Sequence, residues 1–111
     1  MTLIQDTLER ISVVQVEAPL RTPVSPSLRQ DVLARLARGE RTLVINLAGV
    51  NDIDAAGVGE LVRIFNMAIA EGAVLRLTHV APRIREMLRR LGLSLLLDEE
   101  AAVRPLSSPR D

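Results

Sequence analysis

The chain has 111 residues, of which 48% are hydrophobic and 25% charged, and its 14 basic and 14 acidic residues cancel to a formal net charge of zero. That balance, with Phe65 as the only aromatic residue, excludes the basic surplus and the stacking platforms of a nucleic-acid binder. No cysteine is present, so disulfides, thiol catalysis and thiolate metal sites are excluded, and His79 by itself makes no histidine cluster.

The length fits one domain, expected over 1–111 with its core at about 11–104. The first ten residues, MTLIQDTLER, carry acidic groups and no apolar core of the signal-peptide kind. No apolar run approaches the ~20 residues that span a bilayer. Arginines lie scattered among glutamates, so no polybasic patch draws the chain to a membrane. A cytoplasmic protein is expected.

Residues 11–16 (ISVVQV) are β-branched and partly alternating, which predicts a strand. Residues 18–27 (APLRTPVSPS) hold three prolines, which remove backbone donors and predict a connector. Ser27 is placed to cap a helix with Leu28, Val32, Leu33 and Leu36 on one face, ended by Gly39. Residues 42–47 (TLVINL) predict a parallel strand covered on both faces, because the apolar residues do not alternate cleanly.

From Ala56 to Glu71, Val58, Leu61, Val62, Phe65, Ala68 and Ile69 recur at helical spacing, giving an amphipathic helix of about four turns. Residues 74–80 (VLRLTHV) read as another strand. Pro82 opens a helix with Ile84, Met87, Leu88 and Leu91 inward, and Gly92 stops it. Residues 94–97 predict a short edge strand or its remnant. Asp98 is placed to cap a final short helix to Val103, and 105–111 should fray. The alternation predicts an α/β fold with a mostly parallel sheet of about four strands and about four helices.

The stretch GVNDIDAAGVG (49–59) joins the carboxyl end of the central strand to a helix, the edge of an open α/β sheet where ligands and partners bind. Amides at Ala55, Ala56 and Gly57 favour negative charge. Asp54 can accept from them as an N-cap. Two readings stay open: a recognition loop, or a simple cap with Gly57 and Gly59 admitting close helix–sheet packing. Asp52 and Asp54 have no His or Cys beside them, so neither a metal site nor acid–base catalysis is expected. Arg21 could face the helix start as an anion partner or stand solvated. Thr22, Ser25 and Ser27 offer hydroxyls in the same connector, for which structural turn chemistry is the favoured reading. His79 is expected half-buried at a strand end, and Arg83, Arg85, Arg89 and Arg90 on a solvated helix face.

The segment TLVINLAGVNDIDAAGVGELVRIFNMA resembles the core of a STAS domain, the fold of bacterial anti-sigma factor antagonists. Leu47, Gly49, Val50, Ile53, Asp54, Gly57, Val58 and Gly59 follow the family's strand and Asp-Ser-Ser-Gly-Leu-Gly type loop. The likeness continues through Glu71-Gly72, Val80, Pro82, Ile84 and Leu88 to Leu91-Gly92-Leu93. It covers roughly residues 11 to 104.

The resemblance implies a non-enzymatic regulator without cofactors that binds an anti-sigma factor of kinase-type fold. Docking would use Asp52, Asp54, Ala55, Ala56, Gly57, Val58 and Gly59, the exposed side of the following helix, and the connector with Arg21, Thr22 and Ser25. In that family a serine after the loop aspartate is phosphorylated, which adds charge at the interface and ends binding. Ala55 stands at that position and Ala56 follows, so the hydroxyl is missing. Upstream, Arg21 stands where the family has an aspartate and Ala18 where it has a glycine. Stressosome-type relatives carry a phosphorylatable threonine near Thr22. The alternative implied is a non-signalling scaffold subunit of a stressosome-like or transporter-associated complex.

Overall fold

The computed structural model describes residues 11–97. Three strands, β1 (Ile11–Gln15), β2 (Thr42–Asn46) and β3 (Val74–Thr78), form a parallel sheet in the order β1-β2-β3. Thr42 lies between Ile11 and Val74, and Ile45 between Val14 and Leu77. Helix α1 (Ser27–Ala37) links β1 to β2, α2 (Ala55–Ala70) links β2 to β3, and α3 (Pro82–Arg90) follows β3. Each strand–helix–strand passage supplies the long crossover that parallel pairing requires.

Alternation along the strands sends Val14, Leu43, Ile45, Leu75 and Leu77 to one buried face. They join one core with Leu28, Val32 and Leu36 of α1, Leu61, Ile64 and Ala68 of α2, and Ile84 and Leu88 of α3. At ~25 cal/mol per Å² of apolar surface, burial of this aliphatic set is the main stabilising contribution. Among the described residues no helix covers the opposite face, where Ile11 is 55% exposed and Val13 50%. Thus the expectation that 42–47 is covered on both faces fails. Leu43, Ile45 and Leu47 are buried, while Thr42, Val44 and Asn46 are only half-buried.

The predicted fourth strand is a 3₁₀ turn at Ser94–Leu96, and Leu97 makes a single parallel bridge to Leu77. Leu96 and Leu97 are both buried. An extended strand would send these neighbours to opposite faces, one of them the face that no described helix covers, whereas the tighter turn lets both point inward. The helix expected after Asp98 lies outside the described residues.

Local corrections follow from geometry. Leu33, Ile69 and Leu91 are exposed rather than inward, each at the margin of an apolar stripe narrower than the spacing suggested. Pro26, not Ser27, holds the N-cap position of α1, with no side-chain cap. Ser27 instead donates its N–H to Ser25 Oγ at 3.1 Å. His79 is exposed at φ +56°, and its Nδ1 lies 2.6 Å from Thr78 Oγ1. Arg85 is half-buried and donates to the Val80 carbonyl at 3.2 Å, so that part of α3 is not a solvated face.

Candidate functional site

The carboxyl ends of β1 and β2 open into two loops that meet at the start of α2. After β2, Asn46 Oδ1 accepts from Ala48 N–H at 2.8 Å, and Val50 N–H donates to the Leu47 carbonyl at 2.9 Å. This tight turn buries Val50 and Ile53 and leaves Asn51 and Asp52 exposed. Ile53 then pairs with Leu20 of the connector in an isolated parallel bridge.

Asp54 joins the two loops. Its backbone is extended, at φ −111° and ψ −176°, as an N-cap requires. Oδ1 accepts from Gly57 N–H at 2.9 Å. Oδ2 accepts from Thr22 N–H at 2.8 Å. The Asp54 amide itself reaches the Leu20 carbonyl at 3.4 Å. The Thr22 amide first, and then that of Gly57, holds the Asp54 carboxyl below the ordinary carboxylate value, because both bonds favour the charged form.

Gly57 is where the connector presses on α2. A Cβ there would stand 1.9 Å from the Leu20 carbonyl oxygen and 2.7 Å from Ile53 Cγ1. The close approach is therefore between the helix and the connector, not the helix and the sheet. Gly59 has nothing within 4 Å of such a Cβ, so packing does not explain it.

The remaining predicted residues separate into two groups. Ala55, Ala56 and Gly59 are exposed, whereas Val58 is buried. Arg21 pairs with Asp52 at 3.8 Å, both of them exposed, rather than facing the helix-start amides. Of those amides, that of Gly57 donates to Asp54. Through its amide first and also through its hydroxyl, both of which favour the Asp54 carboxylate, Thr22 belongs to the site. Ser25 does not: its hydroxyl donates to Ser27 Oγ at 3.1 Å, at the start of α1. Asp52 Oδ1 accepts from the Ile53 amide at 3.0 Å, so the two carboxylates serve separate partners. No group of residues able to hold a metal ion occurs among the described residues.

Sequence reasoning missed Glu60. It is 7% exposed on α2, and its Oε2 accepts from Nε of Arg29 on α1 at 3.1 Å. The signal was present, since Gly57, Glu60, Leu61, Ile64 and Ala68 fall on one helical stripe and put a carboxylate among apolar neighbours. Such a group needs a cation.

Comparison with curated proteins gives no match. Among solved structures, a sulfate transporter family protein from Wolinella succinogenes is similar, with a TM-score of 0.62 and 22% sequence identity over 83% of this chain and 75% of that one. At that identity the likeness is one of fold. The family model described as STAS domain matches residues 3–104, nearly the whole length, and the chain belongs to the STAS domain family.

Proposed function

We propose that this domain is an anti-sigma factor antagonist-like regulator that binds an anti-sigma factor of kinase-type fold, and that it is not switched by phosphorylation at Ala55. STAS domains in general are regulatory or scaffold domains that act through protein–protein contact. The observation that carries the reading is the outer face of α2. Among its exposed residues, Ala55, Ala56, Gly59, Asn66 and Ile69 are uncharged, and Arg63 is the one charged side chain. A helix face meant only for water is usually rich in charge. Depletion of charge beside small and apolar groups is the composition of an interface. The loop at 52–54 and the connector flank this face.

Ala55 stands at the position where the family resemblance puts the phosphoacceptor, and a methyl group takes no phosphate. The domain would then be permanently competent to bind. Ala55→Glu places a carboxylate where the phosphate would sit. It should weaken binding to the kinase-type anti-sigma factor at least about tenfold, or ~1.4 kcal/mol, in a calorimetric titration. Ala55→Ser should gain a phosphate from that kinase and ATP, whereas wild type should gain none at this position. Equal affinity of wild type and Ala55→Glu would remove this face from the interface.

The second reading is a scaffold subunit associated with a transporter, favoured by the fold shared with the sulfate transporter family protein. Co-purification with a transport ATPase, together with no complex with any anti-sigma factor, would support it over the first.

A further inference from the structure

An N-cap does not need an aspartate. Serine, asparagine and aspartate cap about equally well, because one oxygen accepting from the N2 or N3 amide suffices. Here that oxygen is Oδ1, on Gly57 N–H. The second oxygen holds Thr22 N–H, 32 residues away in sequence. Only an ionised carboxylate offers two acceptor oxygens at once, since an asparagine presents one and an amide N–H₂, and a hydroxyl is too short to span both donors.

The connector needs such a hold. Between Leu20 and Pro26 it has no regular secondary structure. Leu20 is fixed by its bridge to Ile53 and by the Asp54 amide. Beyond it, the exposed Arg21–Asp52 pair at 3.8 Å contributes little in water. The bond from Thr22 to a carboxylate is charge-assisted and stronger. Leu20 also lies under Gly57, so the connector can rest against α2 only while this corner stays closed.

We propose that Asp54 is a positioning residue that latches the connector onto α2, one oxygen capping the helix and the other holding Thr22, so that Arg21 and Thr22 stand beside Ala55 and Ala56 as one docking surface. The docking consequence rests on the reading under Proposed function; the latch is a property of the chain by itself.

Amide hydrogen exchange on the isolated protein tests it, with Asp54→Ser and Asp54→Asn. Serine keeps the cap and loses the reach. Asparagine keeps the shape and turns a donor toward the Thr22 amide. In both, exchange at the Thr22 amide should rise at least about tenfold beyond any loss of protection shared by the amides of Leu61 and Ile64 inside α2, which report global stability. Trypsin should cut the Arg21–Thr22 bond faster, read by mass spectrometry. A merely structural role for Asp54 would instead lower protection at Thr22 and throughout α2 by the same factor. Unchanged exchange at Thr22 in a folded variant overturns the latch. If the connector loosens but affinity for the kinase-type anti-sigma factor stays at the wild-type value, the latch stands and its part in docking is refuted. Should wild type bind no such factor, the docking reading fails, and exchange at Thr22 still decides the latch.

Discussion

Gly57 and Gly59 sit two residues apart in one helix and answer to different constraints. At Gly57 the Leu20 carbonyl occupies the place of a side chain, with 1.9 Å left for a Cβ. That carbonyl is backbone, held by the bridge between Leu20 and Ile53, so it cannot swing aside. Gly57→Ala should therefore cost on the order of 2–4 kcal/mol. Gly59→Ala meets open space and replaces the weaker helix former, so it should be neutral or stabilising by up to ~1 kcal/mol. Urea unfolding of the two variants checks this pair, and equal midpoints would mean that the connector yields. From the sequence both glycines looked alike, because what approaches Gly57 comes from residue 20. His79 was read as half-buried for a similar reason: a strand end suggests cover, but its left-handed backbone turns the ring outward.

Between elements, the Arg29–Glu60 bond joins α1 to α2. Its two ends differ, since Arg29 keeps 33% of its side chain exposed and Glu60 only 7%. Removing the exposed partner leaves a buried carboxylate without a cation, while removing the buried one frees an arginine to turn to water. Arg29→Met should thus destabilise by roughly 3 kcal/mol, and Glu60→Met by about 1 kcal/mol or less. Equal losses in thermal melts of the two variants would mean that the pair serves only to join the helices. Helix spacing made α2 legible almost to the residue. The partner of Glu60 was not, because which helices lie side by side depends on the crossovers. The 3₁₀ turn at Ser94–Leu96 likewise brings two neighbouring leucines into one buried face, which no local pattern reports.

For the molecule as a whole, acid is the condition that reads out its polar joints. Asp54 is held low by the Thr22 and Gly57 amides. Glu40 is held low first by the Ser12 hydroxyl and then by Arg38, tying β1 to the loop after α1. Both folded values lie below the unfolded ones, about 3.9 for Asp and about 4.3 for Glu. A depressed carboxylate contributes stability that is fully present above its unfolded value and is lost as pH falls through its folded value. The urea midpoint should therefore show no loss from these groups between neutrality and about pH 5, and should fall from about pH 4 downward. Asp54→Asn and Glu40→Gln should each lower the neutral plateau and flatten the acid slope. A slope parallel to that of wild type would deny the group any such linkage.

The order of strands and helices, the parallel sheet and the place of the loop at its carboxyl edge follow from periodicity and from the glycines and prolines between elements. These are local properties, and the chain determines them with near neighbours only. The cap role of Asp54 belongs with them, because a cap acts over three residues. Its second bond to Thr22, the contact of Gly57 with Leu20, the cation of Glu60 and the sheet face that no described helix covers were decided by tertiary structure. Each depends on segments distant in sequence being brought to one point, and the crossovers that bring them there leave no periodic mark on either segment.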